Sequence, residues 1–223
     1  MKKSVLITGG NTFLGQQLVE QYIRQDWSVA TAVAANTEAG EQKQELKESL
    51  LIIPWNRNSI FSAKTVVREA SRSFGQIDEF IILHQPPVIN TAFEETAITE
   101  LDDVVDECIN GTVYLTREIL DYCADKNDIL LSYALQGDLG ESGPAMTDGS
   151  AGFFRYFARG IIGRKRHGLY QTAYYSPKQD HKGFAEFIFQ YNQGRKEKGN
   201  GEWLRYSEKK PLFSQVPVIK KEF

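Results

Sequence analysis

The chain has 223 residues, 41% of them hydrophobic and 25% charged, with a formal net charge of -3. These values suit a soluble globular chain long enough for one domain with a sizeable core. They exclude a broad basic field for nucleic acid, and no apolar run approaches the ~18–20 residues that span a bilayer.

Strand-like and helix-like segments alternate from end to end. Ser4–Thr8 is a short apolar run rich in β-branched residues. A glycine turn follows, then Leu14, Leu18, Tyr22 and Ile23 at helical spacing. Ser28–Ala34 predicts a second strand, residues 38–49 a polar helix, and residues 50–54 a third strand. Residues 63–74 predict a helix closed by Gly75. Glu79–His84 predicts strand four. Residues 101–125 predict one long helix, residues 128–134 strand five, and residues 152–167 another helix. Residues 169–175, 183–193 and 202–206 predict strand six, a last helix and a seventh strand. Continuous apolar strands are buried on both faces. Their alternation with helices predicts an α/β fold: a Rossmann-like doubly wound parallel sheet of about seven strands, helices on both faces, in a single domain over residues 1–223.

The start of the chain carries the clearest chemical signal. A strand, a glycine turn and a helix N-terminus together present backbone N–H groups and a positive dipole end to an anion. Gly9, Gly10, Asn11, Thr12, Phe13, Leu14 and Gly15 form this turn. The glycines permit close backbone approach to a pyrophosphate.

On these residues the chain resembles the short-chain dehydrogenase/reductase family. Thr8, Gly9, Gly10, Phe13 and Gly15 are similar to the motif Thr-Gly-Gly-x-Gly-Phe-x-Gly of its extended branch. The central glycine is Thr12 in that register and Phe13 in the alternative Thr-Gly-x-x-x-Gly-x-Gly register. Either side chain is expected to intrude on phosphate, with the Thr12 hydroxyl as a substitute donor. Further resemblances are Phe74-Gly75-Gln76-Ile77-Asp78 before strand four, Gly111 with Thr116-Arg117 on the long helix, and residues 169–177 ending at Pro177.

The resemblance implies NAD or NADP as cofactor, with binding weakened or absent. The cofactor would be held by the turn, by Asn56 in place of the family's adenine-contacting Asp, by His84, and by Pro177. The charge signature that selects NAD or NADP is missing from Ala34-Ala35-Asn36. Leu83-His84-Gln85-Pro86 replaces the family's Asn-Asn-Ala-Gly, and Cys108 replaces a helix Asn that supports proton relay.

The family's chemistry needs a Ser and a Tyr-x-x-x-Lys pair, in which lysine tunes the tyrosine that moves the proton. Alignment places Met146 at the tyrosine and Ser150 at the lysine. Ser132 fills the serine position, and Tyr133 is a candidate lone donor because Leu131-Ser132-Tyr133 is also similar to the enoyl-acyl-carrier-protein reductase branch. His84 is a second candidate for acid–base work. Asp148 and Glu141, in the Gly-rich stretch 137–149 read as a loop, are candidates for contact with another ligand.

Three functions stay open: a non-catalytic binding or regulatory subunit, an NAD(P)-dependent oxidoreductase with a non-standard donor, or an NAD(P)-state sensor. Apolar residues on the helices near Leu101 and Gly152, the aromatic run Phe153, Phe154, Tyr156 and Phe157, and the last helix imply by resemblance a dimer or tetramer. That assembly is a homo-oligomer or a hetero-oligomer with an active homologue. The tail 211–223 is expected to pack on a neighbour or over the cleft. Neither nucleic acid nor membrane is an expected partner. His84, His167 and His181 lack metal-ligand spacing, and Cys108 and Cys123 are expected to be reduced. The N-terminal apolar run is too short for a signal peptide, so the expected location is cytoplasmic.

Overall fold

The computed structural model describes residues 2–34, 49–89, 91–137, 143–194, 203–207 and 220–221. The expected helix at 38–49, Ala35, Asn36, Glu141 and nearly all of the tail lie outside the described residues.

Seven parallel strands form one sheet in the order β3-β2-β1-β4-β5-β6-β7. They are β1 Ser4–Thr8, β2 Ser28–Ala34, β3 Leu50–Trp55, β4 Glu79–His84, β5 Ile129–Gln136, β6 Leu169–Ser176 and β7 Trp203–Arg205. A two-residue strand, β8 Lys220–Lys221, adds antiparallel to β7. The helices are α1 Phe13–Arg24, α2 Ile60–Phe74, α3 Ile98–Val104, α4 Gly111–Tyr122, α5 Ala145–Ile162 and α6 His181–Gln193. Strand order reverses between β1 and β4, where doubly wound sheets open a crevice at the carboxyl ends of their strands.

Side chains alternate across each strand and build two core layers. Leu131, Tyr133 and Leu135 of β5 pack with Phe80 and Ile82 against Ala63, Leu115 and Phe154 of α2, α4 and α5. Ala134 faces the opposite layer with Tyr22, Tyr174, Phe184 and Ile188, formed by α1 and α6. Polar groups inside that second layer pair with one another. Tyr22 donates to the Glu79 carboxylate at 2.5 Å, and Asn192 donates to the same carboxylate at 3.3 Å. The Asn192 carbonyl in turn accepts from Tyr174 and Ser132. Satisfied in this way, buried polar groups avoid the desolvation penalty that unpaired ones carry.

Two helices differ from the expectation. The long helix is not uniform: α3 runs into a π-helical segment, Val105–Asn110, before α4 begins. A π turn frees main-chain carbonyls from the regular ladder, and Arg57 Nη1 donates to the Glu107 carbonyl at 3.1 Å. Helix α5 begins at Ala145 rather than 152. Gly149 and Gly152 each cost about 1 kcal/mol of helix propensity relative to Ala, which hides the first two turns from a sequence reading. Burial of Ser150, Ala151 and Phe154 outweighs that cost. The expected loop 137–149 is therefore helical from residue 145.

Candidate functional site at the carboxyl edge of the sheet

The β1–α1 turn is built around three glycines with separate reasons. Gly9 has φ of +65°, a conformation that favours glycine. A Cβ on Gly10 would lie 2.0 Å from Thr31 Oγ1, and one on Gly15 would lie 2.0 Å from the Gly9 carbonyl oxygen. The turn is thus drawn in until main chain meets main chain.

Thr12 closes it. Its Oγ1 donates to the Gly9 carbonyl at 2.8 Å and accepts from the Gly15 N–H at 3.1 Å. The hydroxyl has one proton and has spent it inside the protein, which corrects the expectation that Thr12 offers a substitute donor to a phosphate. The Phe13 and Leu14 N–H groups sit in the first turn of α1, where no intrahelical acceptor exists. They point along the positive end of the helix dipole.

Phe13 does something the sequence did not reveal. Its side chain is 72% exposed and stacks on His181, the first residue of α6, with centroids 5.5 Å apart. His181 Nδ1 lies 2.7 Å from Gln136 Oε1, while Gln136 Nε2 donates to the Lys178 carbonyl at 2.9 Å. Because that amide oxygen only accepts, Nδ1 carries the proton in the neutral ring. One line of contacts therefore links the α1 turn to the ends of β5 and β6.

The two candidate catalytic residues on β5 lie elsewhere. Ser132 and Tyr133 are fully buried mid-strand. Ser132 faces α6 and donates to Asn192 at 3.3 Å; Tyr133 faces α4 and α5, donates to Thr116 Oγ1 at 3.3 Å and packs on Phe154. Adjacent strand residues point to opposite faces, so the two cannot share a substrate. Burial raises the Tyr133 phenol well above its usual range. Both candidate catalytic hydroxyls thus lie in the core, each bonded to another side chain.

His84 ends β4 but turns inward, stacked on Phe154 at 5.0 Å and 5% exposed. Burial, aided by the Arg57 charge, lowers its pKa to about 3. It is neutral at physiological pH and its ring packs on α5. Its Nε2, Arg57 Nε and Trp55 Nε1 are buried without hydrogen-bond partners, and the Arg57 guanidinium lies over the Trp55 ring at 5.1 Å.

Of the residues expected at the family's Tyr and Lys positions, Met146 is half-buried, and Ser150 is 3% exposed and donates to the Thr147 carbonyl at 2.9 Å. Cys108 sits in the π segment near Ser150, with burial pushing its thiol up to about 11. Both cysteines are free thiols. Asp148 accepts from the Gly143 N–H at 2.9 Å. Asn56 is exposed, and its side-chain oxygen accepts from the Asn58 N–H at 3.0 Å. Pro177 is half-buried in the β6–α6 turn. Among the described residues, no cluster of His, Cys, Asp or Glu could hold a metal ion, and no helix is long and apolar enough to cross a membrane.

The family model described as short chain dehydrogenase matches residues 3–129, more than half of the chain. The chain belongs to the short-chain dehydrogenase family. No curated protein sequence matches it significantly.

Solved structures match over nearly its full length. The 3-ketoacyl-(acyl-carrier-protein) reductase of Brucella melitensis, solved with NADH, superposes with a TM-score of 0.78 at 13% identity, covering 91% of this chain and 96% of that one. ElxO with NADP bound gives 0.78 at 14% identity, covering 92% and 97%. Serine dehydrogenase from Escherichia coli gives 0.71 at 16% identity, covering 85% and 90%. At these identities the likeness speaks for the fold.

Against the short-chain dehydrogenase pattern, the β1–α1 turn fits a phosphate group. Gly10 and Gly15 let the turn pack closely on Thr31 and on the Gly9 carbonyl, and the Phe13 and Leu14 N–H groups at the start of α1 are the donors that would hold a phosphate.

Proposed function

We propose that this short-chain dehydrogenase is a non-catalytic binding or regulatory subunit that keeps a weakened dinucleotide site. The observation that carries the reading is the start of α5. Where the family's proton donor and its lysine are expected, Met146 supplies a thioether and Ser150 a buried hydroxyl already bonded to main chain. Neither group transfers a proton to a carbonyl oxygen at neutral pH. A positioned donor is worth roughly 100- to 10,000-fold in rate, and neither Tyr133 nor His84 is placed to replace it.

NAD or NADP is the ligand class to test, because the family turn is retained and the fold neighbours were solved with NADH and NADP. The Phe13–His181 stack stands between that turn and the ends of β5 and β6, which supports weak rather than tight binding. Assembly through α4 and α5, with itself or with an active homologue, is the accompanying proposal; Tyr156 is 71% exposed on α5 and Phe153 stacks on Phe157 beside it.

Titration with NADH and NADPH, followed by carbonyl and enoyl reduction assays on the same preparation, tests the proposal. Binding without turnover is the expected result. Cofactor-dependent reduction would overturn the non-catalytic reading, and absence of binding at millimolar cofactor would remove the dinucleotide from it.

A further inference from the structure

Trp55 Nε1, Arg57 Nε and His84 Nε2 are buried without hydrogen-bond partners. They come from the ends of β3 and β4 and from the turn after β3. Trp55 belongs to the core layer beneath α2, α4 and α5, and His84 stacks on Phe154 of that layer. Arg57 is drawn in over Gly111 of α4, where an added Cβ would lie 2.9 Å from Arg57 Cβ. Its guanidinium rests over the Trp55 ring at 5.1 Å, and its charge reaches His84 as well.

The charge here is not balanced. A guanidinium keeps its positive charge in proteins, and the Arg57 side chain is only 20% exposed. Its Nη1 is spent on the Glu107 carbonyl. The Glu107 carboxylate lies 3.9 Å away on a side chain that is 58% exposed, so water screens that pair. The Arg57 Nε–H and the Trp55 indole N–H are both donors, and neither has an acceptor. A water molecule would accept from both but would leave the charge uncompensated. A small anion supplies the acceptor and the opposite charge together, and such charge-assisted bonds are the strong ones. Burial sets the size: the two N–H groups have no contact with solvent, so a nucleotide or a bulky carboxylate in the crevice does not reach them.

We propose that one small monovalent anion, of the size of chloride, binds between the Arg57 Nε–H and the Trp55 Nε1–H, beside His84. The His84 tautomer with its proton on Nε2 then adds a third donor. The site lies on the core side of the sheet and does not depend on whether the α1 turn holds a dinucleotide.

The chain has three tryptophans, Trp27, Trp55 and Trp203, so the indole N–H signals of ¹⁵N-labelled protein report on the site, with Trp55→Phe to assign them. Trp203 is the internal control: its Nε1 is also buried without a partner, but no cation lies over its ring among the described residues. The probe is chloride, replacing gluconate at constant ionic strength. The expected result is a saturable shift of the Trp55 signal with Trp203 unmoved. At about one hundred times Kd, Tm should rise by roughly 5–10 °C. Arg57→Gln, which removes the charge, should weaken chloride binding about tenfold or more. Arg57→Lys keeps the charge and loses the Nε–H; it should retain the shift at about three- to tenfold weaker affinity and guards against a glutamine variant that does not fold. The proposal is overturned if chloride leaves Trp55 unmoved, which would mean that water alone completes the site, if Trp203 shifts in the same way, or if folded Arg57→Gln binds as tightly as the parent.

Discussion

The ring of Phe13 lies over the ring of His181, with the planes 19° from parallel. The two residues open α1 and α6, the helices that pack side by side on one face of the sheet. Their contact puts an aromatic pair at the mouth of the helix end best suited to an anion.

Replacing Phe13 should therefore change cofactor affinity more than stability. Phe13→Gly removes an exposed ring, at a position that is glycine in one of the two family registers. NADH or NADPH affinity is expected to rise about tenfold or more, read by fluorescence titration. Unchanged affinity would mean that the stack does not obstruct the site.

Gly15→Ala should be severe. The added Cβ would lie 2.0 Å from a main-chain carbonyl oxygen that no rotamer change can move. A loss of about 3 kcal/mol or more is expected, in the range of strain at a special backbone position. Urea unfolding would measure it, and a change below ~1 kcal/mol would show that the turn can open.

Rebuilding the family's lysine should fail. Ser150→Lys places an ammonium at a position 3% exposed, beside Cys108 and within the field of Arg57. Burying an uncompensated charge costs several kcal/mol. For a chain of this size, a loss of about 3 kcal/mol lowers Tm by roughly 6–12 °C. The double variant Met146→Tyr/Ser150→Lys is expected to show no carbonyl reduction. Activity in it would mean that α5 presents these positions to the crevice after all.

Tyr133→Phe should be mild and functionally silent. It removes one buried hydrogen bond to Thr116, worth about 0.5–1.5 kcal/mol. If any cofactor-dependent turnover is found, it should survive this change. Loss of turnover with fold intact would restore Tyr133 as a donor.

His84 makes stability depend on pH. Its folded pKa is about 3 against 6.5 in the unfolded chain, so the unfolded state binds the extra proton as pH falls. The contribution is fully present above about pH 6.5 and is lost progressively down to about pH 3, at up to ~1.4 kcal/mol per pH unit. His84→Gln should flatten the acid limb of a plot of unfolding free energy against pH. An unchanged slope would show that His84 is not buried neutral.

The fold was legible because it is written locally. Apolar runs such as Ser4–Thr8 and Glu79–His84 end where the sequence places them, and the Gly9–Gly15 turn announces itself by spacing. What was illegible depends on depth and on partners distant in the chain. Ser132 and Tyr133 look adjacent in sequence, yet the pleat sends them to opposite core layers. Helix α5 was read as starting late because glycine propensity is local, whereas the burial of Phe154 that sustains the helix is not.

By itself, then, the sequence determined the parallel sheet and the glycine turn between β1 and α1. These follow from periodicity and residue chemistry along the chain. Only the tertiary structure decided that Thr12 spends its proton on Gly9 and that Phe13 meets His181. Each of those depends on which atoms meet in three dimensions, and a proton given to one acceptor is no longer available to another.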